Sequence, residues 1–85
     1  MLKHYIVICN WAKNGDAGIS IKGVTHTFRK AKKIFSREAK REKEIANTNW
    51  ESFVDTEVRL DMGESGDYAS EHTYLYIESV RNAKK

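Results

Sequence analysis

The sequence predicts one α+β domain, ββαββ in order, in which a mainly antiparallel four-stranded sheet carries one long helix on one face. Three observations lead there: an Asn-Gly pair between two apolar runs, a long stretch with no helix breaker, and two later runs that alternate apolar and polar residues. The 85 residues (1–85) fit a single domain. A chain of this size buries only about 60–65% of the surface its unfolded form exposes, so a core one layer deep is expected. Its 40% hydrophobic content suffices for such a core and is too high for a disordered chain.

The first two strands follow from KNGD, Lys13 to Asp16. Asn-Gly tolerates positive φ at both central positions of a type I′ turn, so HYIVICNWA and AGISIKGV are expected to pair as a hairpin. A two-residue loop then sets Asn10 opposite Ile19, Ile8 opposite Ile21 and Ile6 opposite Gly23 on one face. Tyr5, Val7, Cys9, Trp11, Ser20 and Lys22 fall on the other.

The helix is expected from Phe28 to about Asn47, with Thr27 or Thr25 as N-cap. On a wheel of about 3.6 residues per turn, Phe28, Ala31, Phe35, Ala39 and Ala46 form one stripe, flanked by Ile34 and Ile45. Alanines let such a helix lie close to a sheet, and the isoleucine face is the one expected to receive it. Ile6, Ile8, Ile19, Ile21, Phe35, Leu60, Leu75 and Ile77 are then the expected core. Glu38 and Glu42 also fall in the apolar sector, where an overhang past the sheet edge would keep them wet.

SFVDTEVRLD and HTYLYIESV supply the third and fourth strands. In the first, Val54, Val58 and Leu60 oppose Asp55, Glu57 and Arg59; in the second, Leu75 and Ile77 oppose Tyr74, Tyr76 and Glu78. The first and last strands are apolar on both sides and are expected in the middle, parallel to each other, with the charged strands at the edges.

Motifs of enzymes and cofactor sites are missing. No CxxC, HxxxH or HExxH places metal ligands together, and no GxGxxG or GxxxxGK[ST] cradles a phosphate. His4, His26 and His72 are scattered, and Cys9 has apolar neighbours in a strand, where a thiol tends to be inert. DMGESGDYASE has Gly66 where a calcium loop needs glycine, but Gly63, Ser65 and His72 occupy other ligand positions. No catalytic role, metal or cofactor is expected. With one cysteine and a five-residue apolar run, YIVIC, no intramolecular disulfide framework, secretory signal or membrane span is expected, and a cytoplasmic location is.

Charge is unevenly spread. Residues 1–27 hold three bases and one acid, residues 28–47 eight and three, and residues 48–85 four and eight, giving +2, +5 and −4. The first two helical turns hold Arg29, Lys30, Lys32 and Lys33 and no acid, although a helix start disfavours cations by a few tenths of a kcal/mol each, about 0.3 or more. Beside the free N–H groups of a helix start, these cations suit an anion. Arg29, Lys30, Lys32, Lys33, Arg37, Lys40 and Arg41 are therefore one candidate partner-binding surface, for phosphates or an acidic protein. The second candidate is the sheet face opposite the isoleucines, with Tyr5, Trp11, Lys22, Asp55, Glu57, Arg59, Tyr74 and Tyr76. Its acids disfavour nucleic acid, so a protein partner or a second copy of the chain suits it better.

In organisation, a strand at the very start (HYIVICNW), a helix opening TFRKAKKIF and a strand-rich acidic end together resemble small single-domain proteins of phages and other mobile elements. Among these are anti-CRISPR proteins, which block a host defence complex by binding it. The resemblance implies a non-enzymatic inhibitor or regulator in the host cytoplasm that occludes a site on a larger nucleic-acid-handling complex. The alternative is a module that binds nucleic acid directly through the helix.

Overall fold

The computed structural model describes residues 3–65 and 71–81. Strands β1 (Lys3–Lys13) and β2 (Asp16–Thr25) form the expected hairpin, with φ of 56° at Asn14 and 83° at Gly15. Pairing starts in the expected register, Asn10 with Ile19 and Ile8 with Ile21. Then it slips. Val7 pairs with Gly23 and Ile6 with Val24, leaving Lys22 as an extra residue in a bulge.

Helix α1 (Phe28–Ile45) opens at Thr27, whose hydroxyl accepts a hydrogen bond from the backbone N–H of Lys30 at 3.3 Å. It stops at Ala46, where ψ of 145° turns the chain out of the helix, slightly short of the expected Asn47.

The expected third strand is two. SFVDTEVRLD breaks into β3 (Trp50–Asp55) and β4 (Arg59–Glu64), joined by a tight turn. The Thr56 N–H donates to the carbonyl of Arg59 at 2.8 Å, and the Thr56 hydroxyl accepts from the N–H groups of Val58 and Arg59 at 3.3 and 3.0 Å. A threonine side chain thus does locally what glycine or asparagine does in a more legible turn. Strand β5 (His72–Arg81) completes a five-stranded sheet ordered β2-β1-β5-β4-β3. β1 and β5 lie side by side inside the sheet and β2 at an edge, as expected. The unforeseen hairpin reverses the chain once more, so β5 runs antiparallel to β1 instead of parallel, and every pairing in the sheet is antiparallel.

The helix lies on the opposite sheet face from the one expected. Its buried partners are Val7, Cys9, Leu60, Met62 and Leu75, with Ala31, Phe35 and Ala39 contributed by the helix. Ile19 and Ile21 are 71% and 57% exposed, and Ile6 and Ile8 are only half-buried. Of the expected core, Phe35, Leu60 and Leu75 are buried and Ile77 packs against them.

Size explains the inversion. The side of β2 beneath the helix presents Gly18, Ser20 and Gly23, and a Cβ at Gly23 would stand 2.7 Å from Cδ1 of Ile34. A row of isoleucines there would hold the helix away, whereas small residues let its alanines approach. Hydrophobicity alone favours the isoleucine face; close packing favours this one.

Candidate binding surfaces

The outer face of α1 is the more strongly charged surface. Lys32 pairs with Glu57 at 3.2 Å, Lys43 with Asp55 at 2.8 Å, and Arg37 and Arg41 reach Glu38 at 3.6 and 3.8 Å. Among the described residues, Arg29, Lys30, Lys33 and Lys40 have no acidic partner. All four are exposed. They belong to a helix with no acid in its first turn, so its positive end is left unbalanced. Phe28, Arg29, Lys32, Lys33, Ser36, Arg37 and Lys40 line an open groove of about 700 Å³ along the helix. A second groove of about 600 Å³ continues between the helix and the β3–β4 turn, where Asp55 and Glu57 face Lys40 and Lys43. The seven predicted helix cations therefore divide into paired residues that anchor neighbouring acids and unpaired ones free to meet a ligand.

Beneath the helix lies a polar seam that the sequence reading misplaced. Glu38 and Glu42 are 5% and 7% exposed; they do not overhang the sheet as expected. Lys13 pairs with Glu42 at 3.2 Å, and Lys22 approaches Glu38 at 4.0 Å. Lys22 follows Ser20 on the Cys9 side of β2 by ordinary strand alternation, just before the register shifts. Lys13 also lies over the Trp50 ring, 5.6 Å from its centre. Cys9, Trp11, Lys13, Ser20, Lys22 and Glu42 line a cavity of about 270 Å³ there. Burial pushes the Cys9 thiol above its ordinary range, and the neighbouring Glu42 carboxylate adds to the effect. A thiol held protonated and 2% exposed is a poor nucleophile. The acids inside the helix's apolar sector were the available clue: they require cations on the facing sheet, and Lys13 and Lys22 sit on the Cys9 side.

The predicted sheet surface is divided accordingly. Tyr5 packs its ring against Phe28 at 5.6 Å, Trp11 donates from its indole N–H to the Ser20 hydroxyl at 3.3 Å, Lys22 approaches Glu38 of the helix without a hydrogen bond, and Asp55 pairs with Lys43. Glu57 lies in the β3–β4 turn against Lys32. Only Arg59, Tyr74 and Tyr76 of the predicted set belong to the open face. There the two tyrosine rings stack at 4.7 Å and the Arg59 guanidinium lies 6.0 Å from the Tyr74 ring centre. Their neighbours across the sheet are the isoleucines: Tyr76 pairs with Ile8, and Ile8 with Ile21.

The rings of His4 and His26 approach to 4.6 Å, but no group of three or more metal-ligating side chains is found among the described residues. No described helix is long and apolar enough to cross a membrane. Of the acidic link considered as a calcium loop, residues 61–64 belong to β4 and residues 66–70 lie outside the described residues. Comparison with known protein families, curated proteins and solved structures found no match to this chain.

Proposed function

We propose that this is a non-enzymatic binding protein that meets an anionic site on a larger nucleic-acid-handling complex through the outer face of α1, and that it acts as an inhibitor or regulator by occluding that site. One observation carries the proposal: Arg29, Lys30, Lys33 and Lys40 stand exposed and unpaired, among the described residues, while four other helix cations are matched to acids. A helix surface shaped only by solubility has no need of unbalanced cations at its positive end, where acids serve better. Steric and electrostatic occlusion needs no catalytic group, which accords with a thiol kept buried and protonated.

Capture of partners from a host lysate, with and without nuclease, tests this. Retention of the same protein complex after nuclease, and its loss when Arg29, Lys30, Lys33 and Lys40 are all changed to Glu, supports occlusion of a protein-borne site. Equal capture by that variant excludes the helix face.

Direct nucleic-acid binding is the second proposal, favoured by spacing. Arg29, Lys33, Arg37 and Lys40 recur about once per turn, roughly 5.4 Å apart along the axis, a ladder that can follow a phosphate backbone. Loss of all capture after nuclease, together with a mobility shift of DNA or RNA by the purified protein, selects it over the first.

A further inference from the structure

The β1–β2 hairpin brings together two histidines that are distant in the sequence. Tyr5 pairs with Thr25 at the open end of the hairpin, so His4 of β1 stands opposite His26, the first residue after β2. Their rings lie 4.6 Å apart, centre to centre, and are tilted by 52°. Tyr5 turns toward Phe28 of the helix, and strand alternation therefore puts His4 on the open face with Ile6. His26 is exposed and His4 half-buried, which leaves the pair accessible. Among the described residues, neither imidazole takes part in a hydrogen bond or an ion pair.

We infer that His4 and His26 are the two protein ligands of a site for a divalent transition-metal ion of the zinc and nickel class, whose other coordination positions fall to water. Imidazole nitrogen suits these ions, whereas calcium and magnesium seek oxygen. The hairpin supplies one ligand from each side, and no third metal-ligating side chain joins them among the described residues.

The spacing fits such an ion. Residues directly opposite each other on antiparallel strands hold their Cβ atoms about 4.5–5.5 Å apart. A tetrahedral ion with each nitrogen at about 2.0–2.1 Å sets the two nitrogens about 3.3 Å from each other. Each ring nitrogen stands off its ring centre, so rings 4.6 Å apart reach that separation by turning about their side-chain bonds, with the strands in place. The neighbouring cation, Lys3, lies on the helix side, 6.0 Å from the Tyr5 ring centre, and leaves the face of the pair clear.

The ion would act on the entry to the helix. His26 lies in the short link from β2 to α1, between Thr25, whose hydroxyl donates to the carbonyl of Thr27 at 2.8 Å, and Thr27 itself, the N-cap. Shared with His4, the ion ties that link to β1. In the unfolded chain the two imidazoles are no longer held together, so the ion binds the native form in preference and stabilises it.

Isothermal titration calorimetry of the full chain, free of any histidine tag, with Zn²⁺ and Ni²⁺ tests the inference. One ion per chain is expected, with a dissociation constant of about 1–100 µM for two protein ligands where a closed site has four. Ca²⁺ and Mg²⁺ are expected not to bind in that range. His4→Gln is expected to weaken Zn²⁺ and Ni²⁺ at least tenfold, as is His26→Gln, which is the second variant, at the more exposed position, should the first fail to fold. His72→Gln, opposite Ala12 at the other end of β1, is expected to leave the constant unchanged. Zn²⁺ at about tenfold its dissociation constant should raise the unfolding midpoint by about 5–10 °C, and His26→Gln should abolish the rise. A wild-type protein that binds neither ion below about 1 mM overturns the inference, as does a midpoint that Zn²⁺ leaves unmoved. So does binding that folded His4→Gln and His26→Gln both retain, that His72→Gln weakens equally, or that Ca²⁺ and Mg²⁺ match.

Discussion

Val7 and Ile8 are neighbours on β1 that point to opposite sides of the sheet, and truncating each to alanine asks which face is the core. Val7 is fully buried, paired laterally with Gly23 and Ile77. Removing its two methyl groups forfeits about 1.6 kcal/mol of transfer free energy. The strands on either side are fixed by their ladders, so the space cannot collapse fully, and a cavity term raises the expected loss to about 2–3 kcal/mol. In a domain of this length each kcal/mol moves the midpoint by about 4–8 °C, so Val7→Ala should melt about 10–20 °C below the parent. Ile8→Ala deletes one carbon more, yet its side chain lies half-buried on the open face between Ile21 and Tyr76. Its expected cost is about 1 kcal/mol or less, by the rule that partly exposed sites lose little. Thermal and urea unfolding, followed by circular dichroism, gives both values. The order refutes or sustains the packing: a larger loss at Ile8 than at Val7 would mean that the helix lies on the isoleucine face after all.

Three further outcomes follow from the polar seam and the tight approaches. Lys13→Met strands Glu42, whose side chain is 9% exposed, and should cost about 3 kcal/mol; Glu42→Met leaves a lysine that is 29% exposed and can turn to water, so denaturation should register about 1 kcal/mol or less. Gly63→Ala puts a Cβ 2.7 Å from the backbone oxygen of Glu71, which no rotamer can relieve, so a loss of about 1–3 kcal/mol is expected in the same assay. Cys9 should react slowly with a thiol reagent in the native protein and rapidly in denaturant. Because its folded pKa is raised, the stability it contributes is complete below the ordinary thiol value and declines as pH rises from there toward the folded one, which titration of the unfolding midpoint against a Cys9→Ala variant reads out.

What the sequence disclosed and what it hid have separate physical causes. The Asn14-Gly15 turn was legible because few residue pairs tolerate positive φ twice in succession, and the helix was legible because its apolar period and threonine cap are local signals. The Thr56 turn was not: its backbone is held by a side-chain hydroxyl, and nothing in DTEV marks it against a continuous alternating strand. The bulge at Lys22 left no local mark either, since only the finished hairpin shows which residue is unpaired. Face choice was misread because isoleucines outweigh glycine and serine in hydrophobicity, while helix docking selects for close approach. Glu38 and Glu42 held the correction, since buried acids specify the lysine-bearing side. Of the candidate surfaces, the helix cations were readable as a set from helical spacing alone. Their division into paired and unpaired members depends on Asp55 and Glu57, brought near by the hairpin that the sequence concealed.

The helix surface as the site of binding is tested most directly by reversing Arg29 and Lys30 to Glu and measuring stability and partner binding on the same preparation. Acids at a helix start should stabilise the isolated protein by about 0.3–1 kcal/mol per site. Binding to the captured complex, or to nucleic acid if that is the partner, should weaken at least tenfold, since each lost charge-assisted hydrogen bond is worth about 1.5–3 kcal/mol. Stability rising while affinity falls is the expected result. A variant that is more stable and binds with unchanged affinity would contradict the proposal and leave these cations as solvated surface.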